Sequence, residues 1–176
     1  MAEFFKELKK QNLIDEWGEI LDWLLSEERF LSSKGWDKHV GDFTRRVKNS
    51  KKCPYIEWKI KKARDIDWKK DSKEKFIVLM QKTNKKEKSQ ARNLIRHIRN
   101  GIAHGNAEIK SNGVRNMIEI KDYWVTKKAK KQTAFMRFPL KYISEWYSLY
   151  MEIEKELENK KLKDSSKDSK ANKKAS

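Results

Sequence analysis

Ser89 to Gly105 reads SQARNLIRHIRNGIAHG, and the reading of this stretch decides the fold. At about 100° per residue, Ala91, Leu94, Ile95, Ile98 and Ile102 fall on one side, the stripe of a helix that buries that side in a core. Asn93, His97, Asn100 and His104 gather on the far side, flanked by Arg96 and Arg99. An ordinary solvated helix face mixes lysine with glutamate. This one has no acid between Ser89 and Gly105, and it holds two of the chain's three histidines. Gly105 then offers the left-handed residue that ends a helix, since glycine carries no Cβ penalty there. The stretch is expected to be the central helix of the domain and to carry its chemistry.

Before it, residues 3–31 repeat apolar residues at three and four spacing and are predicted helical, with a possible break near Gln11-Asn12. Residues 32–70 are less regular. Ser32 to Gly35 is a turn signal, Val40 to Val47 a short helix, and Asn49 to Pro54 a basic loop. Tyr55 to Ile60 suits a strand or a helical turn. Trp36, Trp58 and Trp68 are expected to anchor this region on the core. Asp71-Ser72-Lys73-Glu74 has the form of a capping box, with Asp71 as N-cap. It predicts a helix through Phe76, Ile77, Leu79 and Met80. Asn84 and Glu87 repeat the arrangement for the helix that follows.

After Gly105 the period changes. Ala107 to Lys110, Asn116 to Val125 and Thr133 to Phe138 favour strands. Ser111-Asn112-Gly113 is a hairpin signal, and Thr126 to Gln132 a basic loop. Pro139 suits the first turn of a final helix, whose stripe runs from Leu140 to Leu157. From residue 159 to 176 no apolar period survives and lysine dominates, so a disordered basic tail is expected after a single domain of residues 1–158.

Composition narrows the function classes. Lys and Arg number 43 against 26 Asp and Glu, a formal net charge of +17. Such a balance favours polyanionic partners, nucleic acid first. Such charge suits loose, salt-sensitive contact with a phosphate backbone, not sequence reading; the rival reading is a lysine-biased proteome, since lysine far outnumbers arginine. Cys53 is the sole cysteine, so neither an internal disulfide nor a cysteine-based zinc site is available. A reducing cytoplasmic setting fits. The opening residues do not read as a signal peptide, and no apolar run is long enough to span a bilayer. No glycine-rich phosphate loop, no metal-ligand histidine spacing and no nucleophile elbow appears.

Arg99-Asn100-x-x-x-His104 resembles the R-x4-6-H signature of the HEPN superfamily, the "higher eukaryotes and prokaryotes nucleotide-binding" domains. The polar residue after the Arg and the glycine after the His fit the same pattern, as does the place of the signature at the end of a late helix. The resemblance implies a mainly α fold, a HEPN-like helical bundle with a small antiparallel β-meander inserted before the C-terminal helix. It implies a metal-independent endoribonuclease without cofactor, of toxin or phage-defence type, leaving 2′,3′-cyclic phosphate and 5′-OH ends. Arg99, Asn100 and His104 would be catalytic, and Arg92, Arg96 and His97 would contact RNA. It further implies a homodimer in which two signature helices share one cleft, with an antitoxin or other regulatory protein as a possible partner. The helix geometry is compatible with sharing: Asn100 and His104 lie about 40° apart, but Arg99 and His104 about 140° apart. The alternative is a non-catalytic HEPN-like RNA-binding or protein-interaction module.

Overall fold

The computed structural model describes residues 2–26, 39–82, 90–111 and 114–172. The turn expected at Ser32–Gly35, Trp36 and the capping pair Asn84 and Glu87 lie outside these residues. Two helices, α1 (Ala2–Lys10) and α2 (Ile14–Leu25), open the chain. They break where Asn12 takes a positive φ of 54°. Helix α3 (Val40–Asn49) follows, then strand β1 (Glu57–Lys61), a 3-10 turn (Ala63–Asp65), the short helix α4 (Trp68–Asp71) and strand β2 (Ile77–Gln81). Helix α5 (Gln90–Ala103) leads into strands β3 (Ala107–Ser111), β4 (Asn116–Val125) and β5 (Lys130–Pro139), and helix α6 (Lys141–Asn172) ends the described chain.

The expected helical bundle with a small meander is overturned. The strands form one five-stranded mixed sheet in the order β1-β2-β5-β4-β3. β1 and β2 run parallel, and the other pairs are antiparallel. Five strands joined in one sheet are too much for an insert in a bundle. The error began at Phe76 to Met80. This run has no helical period, and it is apolar throughout because both faces of β2 are covered. Val78 and Met80 join the main core. Ile77 and Leu79 join Phe135 in a second core on the other face, beneath Ile66 and Trp68.

Asp71 does not cap a helix either. It is the last residue of α4, whose N-cap is Asp67, bonded through its carboxylate to the backbone N–H of Lys69 and Lys70. Asp71 is instead buried and paired with Lys61 of β1 at 2.7 Å. Pro139 closes β5 rather than opening the final helix. The sequence reading ends the folded part at residue 158, whereas helix α6 runs on through Asn172. Its residues from Glu158 to Lys163 are exposed. Lysine, leucine and glutamate sustain helix there without an apolar stripe, because their intrinsic propensity is high. Among the described residues, no helix is long and apolar enough to cross a membrane.

Helix α5 is the centre of the fold. The stripe read from the sequence, Ala91, Leu94, Ile95, Ile98 and Ile102, is fully buried in the main core. α5 packs against α2 and α3 as well as against β4. Gly101 marks its closest approach to the sheet, where an added Cβ would stand 2.3 Å from Cγ2 of Ile120. Non-bonded carbons prefer about 3.5–4.0 Å, so helix and strand would have to separate. Gly101→Ala is expected to destabilise by about 1–2 kcal/mol, since overpacking outweighs the helix-propensity gain of up to about 1 kcal/mol. Gly18 of α2 has nothing within 4 Å of a built Cβ, and Gly18→Ala should stabilise by up to about 1 kcal/mol. Urea midpoints of the two variants test the contrast.

Candidate active site

The C-terminal end of α5 is set by a hydrogen-bond pattern that needs Gly105. The Asn106 N–H bonds to the Gly101 carbonyl at 2.7 Å, and the Gly105 N–H to that of Ile102 at 3.1 Å. This is a Schellman closure, and Gly105 adopts φ 70°. His104 is therefore the residue that caps the helix, with its side chain exposed. Its backbone N–H bonds to the Asn100 carbonyl at 2.9 Å, which fixes it one turn beyond Asn100. Among the described residues, no side-chain hydrogen bond reaches the His104 imidazole.

The polar side of α5 is not the solvent face that its composition suggests. Asn93 and His97 are buried, His97 at 2% exposure. What meets His97 is the end of β4. Ile118 and Ile120 point inward at period two, and Asp122 continues the same row, 4% exposed. Nδ1 of His97 lies 2.6 Å from Oδ2 of Asp122. The Asn100 amide donates to that oxygen at 3.4 Å and the Thr133 hydroxyl at 3.3 Å. The Tyr123 N–H donates to Oδ1 at 2.9 Å. Thr133 can face Asp122 because the β4–β5 register shifts there. Asp122 pairs with Ala134 and Tyr123 with Gln132, so Thr133 is the extra residue of a bulge.

Burial alone would raise the Asp122 carboxyl above its ordinary value. The hydrogen bond and charge of His97 oppose it, with help from Asn100 and the Tyr123 N–H, and hold it below that value.

Arg99 joins this network from the helix side. Its guanidinium donates to Oδ1 of Asn100 at 3.2 Å. Asn100 thus stands between Arg99 and Asp122, one end of its amide on each. Arg96 donates to Oδ1 of Asn93 at 2.9 Å. Arg96, His97, Asn100, Asp122, Trp124 and Thr133 line a single cavity of about 300 Å³.

Of the residues expected at a site, Arg96, His97, Asn100 and Arg99 are thus brought together. Arg92 is half-buried and does not line this cavity, and His104 stands outside it. His97 was expected to contact RNA, but its Nδ1 is committed to a carboxylate. Asp122 and Thr133 were not read from the sequence. The signal for Asp122 was present: a carboxylate continues the inward row Ile118, Ile120 at a strand position that otherwise demands an apolar side chain. The bulge that turns Thr133 leaves no comparable trace. Among the described residues, no group of three or more His, Cys, Asp or Glu could hold a metal ion.

A helix ending in Arg99-Asn100-x-x-x-His104-Gly105, with the Arg on the Asn and the His at the cap, is the feature to compare with known families. The family model described as HEPN pEK499 p136 matches residues 1–161. The chain belongs to this HEPN family. Membership supports a nucleotide-binding or ribonuclease-like module. The match takes in every strand of the mixed sheet and most of α6, so in this HEPN domain the sheet is part of the matched unit. No curated protein and no solved structure matches the chain.

Proposed function

We propose that this HEPN domain is a metal-independent endoribonuclease whose reacting groups are Arg99 and His104. The observation that carries the reading is the end of α5: the residue at the helix end carries an exposed imidazole, one turn from an asparagine that accepts a hydrogen bond from a guanidinium. RNA cleavage without a metal requires three things. A base must take the proton of the 2′-OH, an acid must protonate the departing 5′-oxygen, and a cation must stabilise the crowded phosphorane. The 2′-oxygen attacks phosphorus, the P–O5′ bond breaks, and a 2′,3′-cyclic phosphate and a 5′-OH remain. Imidazole serves as base or acid near neutral pH, and guanidinium grips a phosphate through two parallel N–H donors.

Asn100 is read here as a positioning residue. Both ends of its amide are engaged, one by Arg99 and one by Asp122, so it aims Arg99 through a chain that ends at the sheet. A single chain supplies one His104, and base and acid together call for two. A homodimer that brings two α5 ends to one cleft supplies both, which is why an active unit of two copies belongs to the proposal.

Incubation of the purified protein with unstructured RNA in EDTA tests the reading. Cleavage with cyclic phosphate ends is the expected result. Tight binding of RNA with no cleavage would leave a binding module in its place. Light scattering reads the oligomer separately, and a strict monomer that still cuts would remove the shared site.

A further inference from the structure

The inward row of β4 does not end at Asp122. Trp124 is the next residue on that face, beyond the cover of α5, and it is 59% exposed. One row thus passes from core, at Ile118 and Ile120, to the polar network at Asp122, to an indole in solvent at the mouth of the same cavity. Lys131 lies opposite Trp124 in the ladder and Lys130 opposite Val125. With Lys127 and Lys128 they make four exposed lysines within the hairpin, and no acid occurs between Asp122 and Glu145. The turn that carries them is ordered. The Thr126 N–H bonds to the Ala129 carbonyl at 2.8 Å, and the Thr126 hydroxyl accepts the N–H groups of Lys128 and Ala129. Lys130 lies over the Tyr123 ring at 4.2 Å, on the face opposite Trp124, and Lys131 is the ladder lysine that shares the face of the indole.

We infer that the end of the β4–β5 hairpin is a docking rail for single-stranded RNA. A base stacks on Trp124, and the adjoining phosphates lie on Lys131, which shares its face, and on Lys127 and Lys128 of the turn. The strand then reaches the cavity at Arg96 and Asn100. Every base offers a π-face, so an exposed indole accepts any of them, and clustered lysines bind the backbone without reading sequence. A second copy of this chain is the poorer occupant, since two lysine-rich hairpins would repel. The inference rests on the ribonuclease reading for its choice of RNA.

A fluorescent 2′-O-methyl RNA tests it, because that strand can be bound but has no 2′-OH with which to be cut. Trp124→Ala should weaken binding about tenfold, within the range of one lost base stack. Trp124→Phe should restore most of the affinity and Trp124→Leu should not. The double variant Lys127→Ala/Lys128→Ala should flatten the log–log salt dependence by about 1.4, or 0.7 for each phosphate contact on a single strand. Unchanged affinity in Trp124→Ala, equal rescue by Leu and Phe, or no binding by the wild type would overturn the rail. So would loss of an oligomer in Trp124→Ala, which would mark a protein interface instead. If wild type binds as described but cuts no unmodified RNA, the rail stands and the ribonuclease reading falls.

Discussion

Replacing His104 by alanine is expected to lower RNA cleavage at least about a hundredfold, and up to about 10⁴-fold, the range of general acid–base catalysis. Folding stability should stay within about 0.5 kcal/mol of wild type, as for a surface substitution away from buried contacts. The two effects separate because of where the residue stands. The imidazole is exposed, and the helix end is closed by the backbone of Gly105 and Asn106 rather than by the His104 side chain. In a two-copy site the substitution removes base and acid together, which favours the upper end of the range. Arg99→Lys is the informative companion. It keeps the charge but loses the planar fork, so it should cut poorly and still bind RNA. Gel assays of cleavage in EDTA with urea melts of the same samples give both readings. Cleavage by His104→Ala at the wild-type rate would end the proposal. If the protein acts as a toxin or defence effector, expression of wild type should arrest growth and expression of His104→Ala should not.

The second large effect falls on stability. Asp122→Ala should destabilise by several kcal/mol, about 1–3 kcal/mol for each buried donor left without its acceptor. Oδ2 of Asp122 takes hydrogen bonds from His97, Asn100 and Thr133, and all three would lose their acceptor. Asp122→Asn keeps one acceptor oxygen and should lose about half as much. Exposed pairs such as Lys110 with Glu108 should contribute less than about 1 kcal/mol. The pH dependence has a definite sign. The folded carboxyl titrates below its ordinary value of 3.8. Its contribution is therefore complete above that pH and is lost as pH falls through the folded value. Denaturant midpoints of wild type and Asp122→Asn should differ at neutral pH and converge in acid. A gap that persists undiminished far into acid would show that the carboxylate charge is not what stabilises the network.

Much of the central helix was legible because its signals are local. The stripe from Ala91 to Ile102 and the glycine at 105 follow from helix period and from φ, with no reference to distant residues. The β3, β4 and β5 segments were legible for the same reason, since alternation marks a half-buried strand. β1 and β2 were not. A strand covered on both faces loses its alternation, and Phe76 to Met80 reads as an apolar run of either kind. The capping box at Asp71 failed because its carboxylate is claimed by Lys61, ten residues back on β1, a tertiary contact that outranks a local motif. At the site, Arg99, Asn100 and His104 were visible as a spacing. The burial of His97 was not, because it depends on a carboxylate twenty-five residues away on β4.

The strand order has a kinetic consequence for the growing chain. β2 pairs with β5, which begins at Lys130, about fifty residues further on. At about 5–20 residues per second of synthesis, roughly 3–10 seconds pass before that partner exists. During that interval Ile77 to Met80 can pair only with β1, and its other edge is open. Such an apolar segment is the kind that self-associates when left uncovered. Lys73 and Lys75 precede it and Lys82 follows it, so repulsion between nascent chains is placed at both ends of the strand that waits longest for a partner strand.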